Sequence, residues 1–119
     1  MSMSIDRQIA ERIFGEPEPV IKQPDIGWSE NGNWLRSYSH DANGYLGKWQ
    51  PLPFSTDLDT ALMAVEKYRE WHNDVFILEN DPERKARWKA WCGPVRARGD
   101  TAPEAICKLL LALVEEEHG

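Results

Sequence analysis

The chain has little that would tie it to a known chemistry. Its 119 residues hold only two cysteines, Cys92 and Cys107. That is too few for the disulfide framework of a small secreted domain, so a reducing cytoplasm is the expected setting. The three histidines, His40, His72 and His118, form no zinc-binding or HExxH spacing with one another or with the cysteines, so no metal or other cofactor is expected. No GxSxG elbow and no phosphate-cradling glycine loop occurs. No apolar run reaches the roughly 20 residues that cross a bilayer. The N-terminal MSMSIDRQIAERIFGE is amphipathic and has no signal-peptide core, so a membrane association is not expected. Positive charge is also scarce: 14 Lys and Arg stand against 20 Asp and Glu, a net of −6. That balance excludes general nucleic-acid binding, which needs a basic surface.

What is present is apolar material enough for a core. Hydrophobic residues make up 41% of the chain, six of them tryptophan, which argues against disorder. The length suits one domain over residues 1–119. The clearest element is the C-terminal helix. Thr101 and Glu104 form a capping box, in which the Thr101 hydroxyl accepts from the Glu104 N–H and the Glu104 carboxylate reaches back. Pro103 falls in the first turn, where its missing N–H costs nothing. Ala102, Ala105, Ile106, Leu109, Leu110, Leu113 and Val114 then recur at helical spacing. Cys107 lies near the edge of this stripe and reads as a small, partly buried hydrophobe.

Residues 4–14 form a shorter helix in this reading, capped by Ser4, with Ile5, Ile9 and Ile13 in line and Gly15 closing it. Residues 16–33 carry three prolines and read as a connector. Residues 34–39 and 45–50 make a hairpin about the turn Asp41, Ala42, Asn43, Gly44, and Pro51 to Pro53 stops its second strand. A second helix opens on a looser capping box from Thr56 to Asp59. Its expected buried stripe is Leu58, Ala61, Leu62, Val65, Tyr68 and Trp71, and it ends near His72 and Asn73. Residues 74–79 read as a strand apolar on both faces and hence covered on both. Residues 85–91 alternate, and residues 95–98 make a last short strand. The order predicts an α+β fold, a small antiparallel sheet layered with three amphipathic helices as an α-β-α sandwich.

Three blocks of the chain resemble the phage ABA sandwich domain family, small proteins of phage and prophage genomes. The first is Ile9, Ala10, Glu11 with Phe14 and Gly15. The second is Trp49, Pro51, Leu52, Pro53, Phe54, Ser55, Thr56, Asp57, Leu58, with Ala61 further on. The third is Ala97, then Asp100, Thr101, Ala102, Pro103 with Ala105, Ile106 and Cys107. With the strands between them they cover most of the chain, residues 16–33 aside. The resemblance implies a sheet layered between helices and a bacterial host cytoplasm. It implies no activity, because the family has no defined function or catalytic motif. The matched positions are caps, turns and stripe residues, which mark a shared fold.

One charge asymmetry stands out as a candidate site. Between residues 84 and 98 fall Arg84, Lys85, Arg87, Lys89, Arg96 and Arg98, with no acidic residue among them, while the other eight basic residues stand against 20 acidic ones. Such a strip on an acidic body is a local positive field. If residues 85–91 pair with residues 95–98, Arg87, Lys89, Arg96 and Arg98 lie side by side with Trp91 as a stacking surface. The competing reading is a solvated face, or one neutralised by Glu66, Glu70 and the acidic run Glu115, Glu116, Glu117. A structural role is the default for Cys92, beside these cations, and a solvated turn for His40. A hydrolase built on either residue is the least favoured reading. The tripeptide Arg98, Gly99, Asp100 is a strand turn and helix entry here, with Gly99 letting the strand turn. Trp71 and Trp88 are expected in the core. Trp28 and Trp34 flank a polar loop and are either core or exposed anchors.

The chain therefore reads as a small, phage-encoded, non-enzymatic interaction protein. The partner classes are a host or phage protein, as for an inhibitor of host defence, and a second copy of the chain. The alternative reading is sequestration of an anionic nucleotide on the strip.

Overall fold

A computed structural model describes residues 4–19, 27–36, 49–70, 75–83, 85 and 87–118. The fold is α+β: among the described residues, three helices and two antiparallel three-stranded sheets. The helices are α1 (Ile5–Arg12), α2 (Leu58–Arg69) and α3 (Ala102–His118). The first sheet holds β1 (Gly27–Trp28), β2 (Trp34–Arg36) and β3 (Gln50–Pro51). The second holds β4 (Ile77–Asn80), β5 (Trp88–Cys92) and β6 (Val95–Gly99).

α3 sits at the centre and packs on the β4–β6 sheet and on both α1 and α2. All seven expected stripe residues, from Ala102 to Val114, are buried, and Leu109 and Leu110 are fully so. Each such leucine stabilises the fold by about 1.5–3 kcal/mol. Cys107, expected at the stripe edge, is also fully buried. The Glu104 N–H donates to Thr101 Oγ1 at 3.3 Å, the first half of the expected capping box. α1 begins as expected, with the Arg7 N–H on Ser4 Oγ at 3.2 Å. Past its end Gly15 takes φ +68°, which folds the chain back so that the Glu16 N–H reaches the Ala10 carbonyl at 3.0 Å.

α2 departs from expectation in its cap and its stripe. Its N-cap is Asp57, whose carboxylate accepts from the N–H and hydroxyl of Thr60. The Thr56 hydroxyl turns away to the Pro53 carbonyl. A carboxylate one residue on outcompetes the hydroxyl because it carries full charge at the positive helix end. The buried face is Ala61, Ala64 and Tyr68, with Val65 partly buried, while Leu58 and Leu62 are 41% and 44% exposed. Small alanines let α2 approach α3 closely and rotate the larger leucines outward. Trp71, His72 and Asn73 lie outside the described residues.

The connector of residues 16–33 contains structure that its prolines conceal. β1 pairs with β2, Trp28 opposite Leu35, and β2 pairs with β3, Trp34 opposite Pro51. β3 ends at Pro51, as the proline stop of residues 51–53 predicts, with Pro51 itself the last paired residue. The expected turn of residues 41–44 lies outside the described residues. Trp34 is 1% exposed and belongs to the core, whereas Trp28 is 54% exposed. β4 also differs from the covered strand expected of it. Val75, Ile77 and Leu78 are exposed, and Phe76 alone turns in, edge-on to Tyr68 of α2.

Gly99 serves close approach. A Cβ there would stand 2.6 Å from the Ala105 nitrogen, in the first turn of α3. Its φ lies outside the left-handed region, so freedom to turn, expected from the sequence, is not what the position requires.

Candidate functional site

The register of the second sheet decides the geometry of the basic strip. β5 and β6 pair antiparallel, with Lys89 opposite Arg98, Ala90 opposite Ala97 and Trp91 opposite Arg96. β4 adds Glu79 opposite Lys89 and Ile77 opposite Trp91. Directly opposed residues share a face. Ala90, Cys92, Val95, Ala97 and Gly99 therefore face α3, and the first four pack in or against the core. Lys89, Trp91, Arg96 and Arg98 share the outer face with Ile77 and Glu79. Four of the five predicted strip residues are thus brought together. Arg87 precedes β5, is exposed, and offers its carbonyl to the Asp81 N–H. Lys85 is exposed, and Arg84 lies outside the described residues.

Two cations directly opposed across a ladder repel. Two contacts offset this. Arg98 Nη1 lies 4.0 Å from Asp81 Oδ2, and Lys89 Nζ sits over the Trp91 ring at 4.8 Å from its centroid. The Trp91 ring that was expected to stack a ligand therefore already carries an ammonium. Arg96 is exposed beside it. Of the acidic residues expected as a cover, Glu70 pairs with Lys67 at 3.1 Å, and Glu115 and Glu116 line a cavity of about 640 Å³ with Val95 and Ala112.

The thiols are placed away from these cations. Cys92 is 5% exposed on the α3 side of the sheet. The strip's charge, on the opposite face, is not positioned to activate it. Burial, then the negative charge of Asp6, pushes the Cys107 thiol up to about 12. A thiol so placed, as Cys107 is, is inert at neutral pH. His40 lies outside the described residues.

A carboxylate that sequence reasoning passed over organises the first sheet. Glu16 is 7% exposed. Its Oε1 accepts from the Ser29 hydroxyl at 2.8 Å and the Asn33 N–H at 3.1 Å, and its Oε2 from the Asn31 N–H at 2.8 Å. Its carbonyl accepts from Trp34 Nε1 at 2.9 Å. Burial by itself would raise its pKa. The Asn31 N–H, the Ser29 hydroxyl and Asn33 together outweigh that and hold it below the ordinary value of 4.5. Every oxygen is satisfied within the chain, so this carboxylate pins a loop and is not poised for proton transfer. A lone glutamate before a proline-rich stretch gives no sequence signal of that role.

Comparison with known proteins bears on the fold. The chain shares its fold with a phage protein. The solved structure is a phage protein from Bacillus cereus ATCC 14579, with a TM-score of 0.59 over 97% of this chain and 91% of that one, at 20% identity. No family model and no curated protein matches the sequence. No helix among the described residues is long and apolar enough to cross a membrane.

Proposed function

We propose that this chain is a phage-encoded, non-enzymatic interaction protein of the ABA sandwich type that binds an acidic surface of a host or phage protein in the bacterial cytoplasm. The observation that carries this reading is the register that sets Lys89 beside Arg98 and Arg96 beside Trp91 on the outer sheet face. Cations arrayed along a sheet, flanked by exposed Ile77, suit an extended partner surface whose carboxylates are spaced over several residues. The phage origin is supported by the fold likeness and by the three sequence blocks. Inhibition of host defence is the form this binding takes in the reading, and it rests on that origin.

The nucleotide alternative is less well supported. Small-molecule sites are concave, and base stacking needs a free ring face. Here Lys89 sits over Trp91. The two readings are separated by thermal melts with nucleotides, cyclic nucleotides and ADP-ribose compounds. A ligand at a hundred times its Kd stabilises by about 2.7 kcal/mol. The protein-binding reading predicts no shift, and a shift that vanishes in Arg96→Glu would replace it.

A further inference from the structure

We infer that the chain forms a two-fold symmetric dimer by antiparallel pairing of β4 with β4 of a second copy. The two edges of the β4–β5–β6 sheet are unlike. β6 carries Arg96 and Arg98 on one face, and charged residues of this kind are how natural sheets discourage edge pairing. β4, with the sequence Ile77, Leu78, Glu79, Asn80, has no lysine, arginine or proline. All four of its residues are exposed, as is Val75 just before it, and among the described residues no strand pairs with its outer edge. An edge with apolar side chains on both faces and unpaired backbone groups is a template for another strand. A second copy fits because, among the described residues, each molecule offers one open edge and one blunted edge. Joining the open edges satisfies both and leaves arginines at the two ends, so assembly closes at two.

The register follows from symmetry and charge. A two-fold axis between antiparallel strands keeps like faces together, so one residue must stand opposite its own copy. With Glu79 at that position two carboxylates would face each other, which is unfavourable. With Leu78 there, the inner faces meet leucine to leucine, and Glu79 stands opposite the Ile77 of the second copy. The dimer would carry a continuous six-stranded sheet with two basic strips on one face.

Sedimentation equilibrium from micromolar to millimolar concentration tests this, with the intact chain. The expected species approaches twice the 13.7 kDa chain mass. Leu78→Lys should return it to monomer with an unchanged circular dichroism spectrum. Ile77→Lys should leave the dimer intact, because the new ammonium meets Glu79 of the second copy. Leu78→Cys should cross-link on mild oxidation and Ile77→Cys should not. A monomer throughout the concentration range would overturn the proposal. So would a dimer that survives Leu78→Lys, or one that cross-links through residue 77.

Discussion

The Glu16 carboxylate accepts a hydrogen bond from the backbone N–H of Asn31 at 2.8 Å, across fifteen residues of chain. With Ser29 and Asn33 it closes a loop that starts in the Gly15 turn and ends at the buried indole of Trp34. Glutamine can offer only one oxygen where both carboxylate oxygens are used, and its amide would face donors. Glu16→Gln should therefore cost about 1–3 kcal/mol in urea unfolding, because a buried donor loses its acceptor. Glu18→Gln, which breaks an exposed pair with Arg7, should change stability by less than about 0.5 kcal/mol. Equal effects from the two would contradict the buried role.

The same carboxylate gives the fold an acid dependence of known sign. Its folded pKa lies below the ordinary value of 4.5, so between the two the unfolded chain binds more protons. Stability from this group is fully present above that ordinary value and is lost as pH falls through the depressed folded value. The gap between wild type and Glu16→Gln should narrow on acidification. A gap that widens would reverse the assignment.

The start of α2 separates local pattern from actual geometry. Both Thr56 and Asp57 are acceptable caps by residue type, and only coordinates show the Thr60 N–H 3.2 Å from Asp57 Oδ2. Asp57→Ala should cost about 1 kcal/mol and Thr56→Ala a few tenths. The reverse order in thermal melts would return the cap to Thr56.

Gly99→Ala should destabilise by about 1–3 kcal/mol, because its methyl meets backbone of α3 that cannot rotate away. An unchanged melting temperature would mean that β6 and α3 stand further apart.

These cases show where the sequence is informative. α3 is legible because its cap, first-turn proline and seven apolar positions agree with one another over a single continuous segment. The basic strip is legible because alternation in 85–91 and 95–98, with Gly93 and Pro94 between, admits one antiparallel pairing. What is not legible depends on distant partners. Glu16 finds its donors only once the chain has folded back. β1 is two residues long and carries no periodic pattern. Leu62 and Ala64 exchange their expected burial because closeness to α3 favours the smaller residue. In each case tertiary contact overrides a local preference.

The reading of the outer sheet face as a surface for an acidic protein is tested most directly by comparative capture from bacterial host lysate. Immobilised wild type and the Lys89→Gln/Arg96→Glu variant, matched by circular dichroism, would be compared at low and high salt with quantitative mass spectrometry. The account predicts a protein held by wild type, weakened by salt and lost from the variant. A partner held equally by both proteins would contradict it and move the interface off this face.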